Sequence, residues 1–116
     1  MRVAVLGTGL LGGSIGLGCI RCGHEVVGFD YDPPRAERAQ ELGAITCSAA
    51  SIREAVADVD LAFVAVPVGS IAEVAAQALD AGAPVVTDVG SVKQPVVEAV
   101  LATAGEGAAR FVGGHP

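Results

Sequence analysis

Short apolar runs rich in valine, alanine and leucine alternate along the chain with longer stretches of helical character. The apolar runs predict strands at residues 2–6, 25–29, 45–47, 61–66, 85–89 and 110–112. The intervening stretches predict helices at residues 11–22, 34–42, 51–57, 70–81 and 93–104. Most of the strand candidates are continuously apolar, which is typical of parallel strands covered by helices on both faces. The pattern therefore predicts an α/β fold with a doubly wound, mostly parallel sheet.

The borders of the predicted helices carry start and stop signals. Gly23, Gly43 and Gly82 each follow a helix, where glycine readily takes the left-handed conformation that ends it. Ser51 and Glu54 have the spacing of a capping box at the start of the third helix. The sequence contains no linker, low-complexity segment or internal repeat, so we expect residues 1–116 to form one domain.

Composition and charge narrow the classes of partner. The chain is 52% hydrophobic but has only three Phe, one Tyr and no Trp, so its core must consist mainly of aliphatic residues. A formal net charge of −6 disfavours nucleic acid and anionic membrane surfaces, because both require clustered Lys and Arg. Six glycines interrupt the uncharged stretch at residues 3–20, which makes it a poor membrane helix. We therefore expect no nucleic-acid or membrane partner.

The three cysteines include a C-x-x-C pair, Cys19 and Cys22. This spacing marks redox or metal sites in other settings. Here the pair falls within a predicted helix and has no second pair of ligands, so we interpret both residues as packing residues in a reducing cytoplasm. The sequence predicts no metal site.

A G-x-G-x-x-G motif lies between the first predicted strand and the first predicted helix, as in dinucleotide-binding Rossmann domains. The first glycine permits a tight turn, the second lets the backbone approach a pyrophosphate, and the third lets the helix pack closely on the strand. The start of the helix then offers free N–H groups to the phosphates. The predicted cofactor-binding residues of this loop are Gly7, Thr8, Gly9, Leu10, Leu11 and Gly12.

Asp30 ends the second predicted strand, close to the ~20-residue spacing expected after the glycine motif. A carboxylate at this place accepts hydrogen bonds from the ribose hydroxyls and repels a 2′-phosphate, which favours NAD over NADP. The next residue, Tyr31, is not an arginine. Arg35 is near enough to be considered as a phosphate contact, but we interpret it as a solvated residue in the first turn of a helix.

Three further motifs follow the carboxyl ends of later strands: Ala-Val-Pro-Val at 65–68, Gly-Ser-Val-Lys at 90–93 and Gly-Gly-His-Pro at 113–116. Together with the glycine loop, this ordered set resembles the prephenate and arogenate dehydrogenases of tyrosine biosynthesis over the whole chain. The resemblance implies an NAD-dependent oxidative decarboxylation of prephenate or arogenate. In that reaction a hydride leaves the hydroxyl-bearing ring carbon, carbon dioxide is released and the ring becomes aromatic.

The resemblance also assigns roles to residues. His115 is expected to be the catalytic histidine that hydrogen-bonds the ring hydroxyl of the substrate, and Ser91 a second polar contact near that hydroxyl. Val66 and Pro67 are expected to line the cofactor groove. Lys93 matches the motif without an assigned role. His24 has no motif support, and we interpret it as part of a surface turn.

In the family that the chain resembles, a helical C-terminal domain supplies dimer contacts and the cationic residues that hold the substrate. We therefore expect residues 1–116 to be a nucleotide-binding domain cut off before that domain, inactive alone, in a cytoplasmic enzyme that is a homodimer at full length. Two alternatives stay open. One is another Rossmann-first dehydrogenase or reductase, similar to the 3-hydroxyacid dehydrogenases, and the other is a dinucleotide-binding module without catalysis.

Overall fold

The computed structural model describes residues 1–89, 98, 100, 102 and 105–113. Most of the predicted helix at 93–104, the whole Gly-Ser-Val-Lys motif and residues 114–116 lie outside these ranges.

Strands and helices alternate along the described residues. Strands β1 to β6 cover Arg2–Leu6, Glu25–Phe29, Cys47–Ser48, Leu61–Val64, Val86–Asp88 and Phe111–Val112. Helices α1 to α4 cover Leu10–Arg21, Pro33–Glu41, Ile52–Ala55 and Val68–Asp80. A 3₁₀ helix at Gly105–Arg110 leads into β6. No helix within the described ranges is long and apolar enough to cross a membrane.

The strands form one parallel sheet in the order β3-β2-β1-β4-β5-β6. The chain starts in the middle of the sheet, moves outward to β3, and then crosses back so that β4 pairs with the other side of β1. Leu6 at the end of β1 is in register with Phe29 on β2 and with Val64 on β4. This arrangement confirms the predicted doubly wound Rossmann fold and makes the carboxyl ends of β1, β2 and β4 neighbours, at the point where the strand order reverses.

The ends of β3 and β4 differ from the prediction for identifiable reasons. The predicted strand at 45–47 is shifted to Cys47–Ser48, because the Thr46 hydroxyl oxygen accepts a hydrogen bond from the backbone N–H of Val26 at 3.0 Å. A side chain thus takes the place of a strand carbonyl at this point. The strand predicted to reach Val66 ends at Val64, since Pro67 directly precedes α4 and has no N–H to donate to a neighbouring strand.

Two apolar clusters cover the two faces of the sheet. The larger one contains Leu6, Val64, Ile71 and Leu79 and lies under α3 and α4. The smaller one, which includes Val5 and Val26, packs against side chains of α1 and α2. Neighbouring residues of β1 therefore face opposite clusters, as the two-residue period of a strand requires.

The predicted glycine stop signals are confirmed, although α3 ends at Ala55 rather than at residue 57 and α4 begins at Val68 rather than at Ser70. Gly23, Gly43 and Gly82 have φ values of 86°, 76° and 97°. At the first of them the Gly23 N–H donates to the Ile20 carbonyl at 2.9 Å and the His24 N–H to the Cys19 carbonyl at 3.0 Å, and the other two ends repeat this pair of bonds. Ser51 caps α3 as predicted, because its hydroxyl accepts from the Glu54 N–H at 3.1 Å. The return bond of the predicted capping box is displaced by one residue, since the Glu54 carboxylate accepts from the Ala50 N–H at 3.3 Å.

Arg110 ties the end of the described sheet to α4. Its guanidinium donates to the Leu79 carbonyl at 2.7 Å and to the Ala83 carbonyl at 2.8 Å. Leu79 lies in the last turn of α4, where the helix dipole favours a positive charge, and Ala83 lies in the segment that follows the helix. The sequence pattern predicts Arg110 as a strand residue and does not indicate these contacts.

Candidate nucleotide-binding site

The loop between β1 and α1 is held against the ends of β2 and β4. The Gly7 N–H donates to the Phe29 carbonyl at 2.7 Å, and Gly7 has a φ of 102°, a conformation that side chains disfavour. A Cβ at Gly7 would overlap the carbonyl oxygen of Ala65, just after β4. Only glycine therefore fits at this turn, which lies at the point where the strand order reverses.

The other two glycines of the motif have different surroundings. A Cβ at Gly12 would overlap the carbonyl oxygen of Gly7, so the first turns of α1 pack directly on the loop. A Cβ at Gly9 would meet no atom within 4 Å. Gly9 is also the N-cap of α1 and provides no side-chain bond to its N–H groups. The space beside Gly9 is therefore open and leads to the N-terminus of α1, where the helix dipole favours a negatively charged group.

Asp30 connects the end of β2 to this loop. Its Oδ2 atom accepts hydrogen bonds from the Thr8 N–H at 2.8 Å and from the Thr8 hydroxyl at 3.1 Å. Its Oδ1 atom accepts from the Asp32 N–H at 2.8 Å and lies 3.9 Å from the guanidinium nitrogen of Arg35. The Asp30 side chain is only 7% exposed, while that of Arg35 is 56% exposed. The carboxylate is therefore fixed in place before any ligand binds.

A cavity of about 360 Å³ lies above the carboxyl ends of β1, β2 and β4. This size is within the usual range for pockets that hold small molecules. Five of the predicted cofactor-binding residues line it: Gly7, Gly9, Asp30, Val66 and Pro67. Apolar side chains make up much of the remaining wall, and Tyr31 at the rim packs edge-on against Phe29 with ring centroids 5.1 Å apart. The cavity thus combines an apolar wall, a carboxylate and the start of a helix.

The other predicted site residues lie around this cavity or outside the described ranges. Thr8 is a buried residue of the loop itself, and Gly12 is buried in the first turn of α1. Leu10 and Leu11 are exposed at 89% and 52%, on the first turn of α1. Ser91 and His115 lie outside the described residues, so their predicted roles stay predictions.

Some features of the site were not foreseen from the sequence. Ser70 and Val74 line the cavity from α4, and Arg35 lines it from α2. The four-residue spacing of Ser70 and Val74 on one helix face directly after β4 is the signal that could have identified them. The burial of Asp88 was also not predicted from the sequence: this residue is 1% exposed at the carboxyl end of β5, beside the end of β4, and is not part of the cavity lining.

Cys19 lies within α1 and Cys22 directly follows it. Within the described ranges, no group of three His, Cys, Asp or Glu side chains is arranged to hold a metal ion. Burial raises the pKa of the Cys19 thiol above its ordinary value, and the nearby Cys22 adds to that shift. His24, at the turn before β2, has its Nδ1 atom 2.8 Å from the N-terminal amine.

Comparison with protein families gives a match over residues 18–116 to a family described as prephenate dehydrogenase, nucleotide-binding domain. The match begins after the glycine loop, so it depends on the later motifs and strands. No curated protein sequence matches the chain significantly.

Solved structures extend the similarity to the whole chain. An arogenate dehydrogenase from Synechocystis has a TM-score of 0.87 at 26% identity, and the alignment covers 100% of this chain and 41% of the other. A prephenate dehydrogenase from Aquifex aeolicus, in complex with hydroxyphenyl propionate and NAD+, has a TM-score of 0.84 at 31% identity, with coverages of 100% and 41%. A further structure of the Aquifex enzyme has a TM-score of 0.84 at 32% identity, with coverages of 98% and 42%. This chain thus spans about two fifths of the length of these structures.

Proposed function

Because this chain belongs to the prephenate dehydrogenase family, as its nucleotide-binding domain, we propose that it binds NAD for the oxidative decarboxylation of prephenate or arogenate. The enzyme would act in the cytoplasm, in tyrosine biosynthesis. We also propose that the full-length protein has a helical domain that holds the substrate carboxylates, and that it forms a homodimer.

The observation that carries the proposal is the meeting of the glycine loop and the Asp30 carboxylate at one cavity. The open approach at Gly9 suits a pyrophosphate at the start of α1. The Asp30 carboxylate suits a ribose hydroxyl and repels an added phosphate. The apolar wall formed by Val66 and Pro67, among others, suits an adenine ring. These three features together favour NAD.

Arg35 is the residue that could alter this preference. Its guanidinium lies 3.9 Å from Asp30 Oδ1, so the carboxylate partly neutralises the charge that would attract a 2′-phosphate. Arg35 is 56% exposed, in keeping with its interpretation as a solvated residue, and the contact also makes it a partner of Asp30. This partial neutralisation adds to the repulsion by Asp30 as a reason to expect weaker binding of NADP.

For catalysis we propose His115 and Ser91, on the strength of the family motifs. NAD, when bound, supplies the hydride acceptor. A neutral imidazole at His115 would accept a hydrogen bond from the ring hydroxyl, and this bond would strengthen as the carbonyl forms. Ser91 would hold the same hydroxyl. The motifs follow β5 and β6, which extend the sheet beyond β4, and the carboxyl ends of such strands are where ligands of this fold bind.

The decisive experiment is a turnover assay of the full-length protein with prephenate and arogenate, each with NAD and NADP. We expect turnover of one or both substrates with NAD. Turnover of simple 3-hydroxy acids instead would favour the rival dehydrogenase class. Tight NAD binding without turnover of any of these substrates would favour a module without catalysis.

Within that assay, His115→Asn tests the proposed catalytic residue. We expect kcat to fall by ~10²–10⁴-fold, the usual contribution of a positioned acid–base group, with NAD affinity nearly unchanged. The loss of kcat/KM at acid pH should also disappear, since a protonated imidazole cannot accept the bond. Ser91→Ala should cost less. Wild-type kcat together with an unaltered acid limb would show that His115 is not the catalytic residue.

A further inference from the structure

The G-x-G-x-x-G motif does not specify the residue type at Thr8, yet the side chain of Thr8 is buried and both of its ends make contacts. Only 5% of the residue is exposed. Its backbone N–H and its hydroxyl both donate to the same atom, Asp30 Oδ2, at 2.8 and 3.1 Å. Its methyl group lies over Gly28 of β2, where an added Cβ would be 3.2 Å from Thr8 Cγ2. Both ends of the side chain therefore have specific neighbours.

These contacts determine how the two oxygens of Asp30 are used. A carboxylate has about four acceptor positions. Thr8 occupies the two on Oδ2, and the Asp32 N–H occupies one on Oδ1. The position that remains is on Oδ1, the oxygen nearest to Arg35, and both residues line the cavity. Oδ2 thus serves the protein, and Oδ1 keeps one position for a ligand hydroxyl.

We propose that Thr8 is a positioning residue for nucleotide selectivity, because its hydroxyl holds the Asp30 carboxylate in the rotation that presents Oδ1 to the ribose. This inference rests on the NAD site proposed above. The terminal torsion of an aspartate is soft. Without the Thr8 hydroxyl, the carboxylate keeps the bonds from the Thr8 and Asp32 N–H groups, one on each oxygen, but it is freer to rotate than with three bonds. A carboxylate that turns toward Arg35 accepts the hydrogen bond of a ribose hydroxyl less well. Because its own position is less fixed, it also repels a 2′-phosphate less effectively. Loss of the hydroxyl therefore weakens NAD binding more than NADP binding.

The test compares dissociation constants for NAD and NADP, measured by calorimetric titration of the 116-residue chain and its variants. Thr8→Val removes the hydroxyl and keeps the shape of the side chain. We expect it to weaken NAD by about three- to tenfold, the scale of one lost hydrogen bond, and to lower the preference for NAD over NADP by a similar factor. Thr8→Ser, which restores the hydroxyl, should recover most of the lost preference.

Thr46→Val is a matched control. It also removes a hydroxyl that is hydrogen-bonded to the backbone of β2, the Val26 N–H at 3.0 Å, but it does so away from the cavity. The NAD to NADP preference should not change in this variant. The preference compares two ligands on the same sample, so it is insensitive to the fraction of folded protein. Thr8→Ala is a second variant without the hydroxyl, should Thr8→Val fail to fold.

A second comparison tests whether Thr8 acts through Asp30. In an Asp30→Ala background, adding Thr8→Val should cause no further change in preference, because the carboxylate that it positions is gone. An equal further loss would show that Thr8 acts independently and would overturn the inference. An unchanged preference in Thr8→Val would also overturn it, while NAD binding by the wild type would leave the proposed function intact. If the wild type binds neither nucleotide, the proposed function fails and this inference fails with it.

Discussion

At the scale of single residues, Asp30 has two roles that belong to different atoms of one carboxylate. Through Oδ2 it secures the glycine loop by accepting two bonds from Thr8. Through Oδ1 it faces the cavity beside Arg35. A substitution at Asp30 therefore affects both the loop and the ligand. NAD and NADP differ only at the ribose, so a comparison of their affinities separates the two effects. Loosening of the loop should weaken the binding of both nucleotides alike.

We expect Asp30→Ser to weaken NAD binding by about 1–3 kcal/mol, since a short neutral hydroxyl replaces a charged acceptor. NADP should lose less, because the repulsion of its 2′-phosphate is removed at the same time. Titration with both nucleotides measures this. Asp32→Ser is the matched control, since Asp32 is exposed and its side chain makes no capping bond. Equal or tighter binding of NADP by the wild type would contradict the assignment and would make Arg35 a phosphate contact.

The thiols of α1 provide a second prediction at this scale. Burial, with a smaller effect from Cys22, raises the pKa of Cys19, so at neutral pH less of Cys19 is the reactive thiolate. Cys22 is exposed and Cys19 is partly buried. We therefore expect iodoacetamide at about pH 7.5 to modify Cys22 faster than Cys19, as measured by peptide mass spectrometry. In Cys22→Ser the rate at Cys19 should change little, because burial is the larger cause. Faster modification of Cys19 would contradict the structure.

At the scale of elements, α1 uses glycine for close packing on one side only. A Cβ at Gly12 would overlap the Gly7 carbonyl, and a Cβ at Gly16 would overlap the Ala44 carbonyl. A Cβ at Gly13 or Gly18 would meet no atom within 4 Å. The buried glycines are one turn apart and let α1 approach both the loop before it and the segment that follows α2. Helix propensity alone would have favoured alanine at all four positions.

Gly16 and Gly18 form a matched pair for testing this packing. Both lie within α1 and outside the glycine motif. Gly16→Ala should lower the free energy of unfolding by about 1–3 kcal/mol, because the added methyl group meets a backbone carbonyl that cannot move aside easily. Gly18→Ala should raise it by about 0.5–1 kcal/mol through helix propensity. Urea denaturation measures both. Equal effects of the two substitutions would mean that α1 does not pack on Ala44 as described.

At the scale of the whole molecule, acidic residues outnumber basic ones. The chain has seven Lys and Arg against thirteen Asp and Glu. Of the arginines in the described ranges, Arg35 lines the cavity, at the end beside Asp30. The prephenate and arogenate dehydrogenases that the chain matches are more than twice its length.

We therefore predict that residues 1–116 bind NAD but produce no NADH from prephenate or arogenate. Binding requires the glycine loop, Asp30 and the cavity, all of which the described residues contain. Turnover also requires groups that hold two substrate carboxylates against the nicotinamide. Calorimetry for binding and absorbance at the NADH band for turnover test the two parts on one sample. Robust turnover by residues 1–116 would refute the proposal that a further domain is essential.

The sequence by itself determined the features that depend on neighbouring residues. The periods of the apolar positions gave β1 and β2 to the residue, and the glycines and Ser51 gave the helix ends, because turns and caps are closed by bonds over a few residues. The glycine motif and Asp30 could be identified because the fold requires them at characteristic spacings.

Only the tertiary structure decided the contacts between residues far apart in the chain. Thr8 and Asp30 are separated by 22 positions, and Arg110 and Leu79 by 31. No local pattern specifies such a pair, since the same residues would be equally compatible with solvent. The same reason applies to Gly16 and to the late start of β3. The contact of Gly16 with Ala44 and the bond from the Val26 N–H to the Thr46 hydroxyl exist only after the elements have packed.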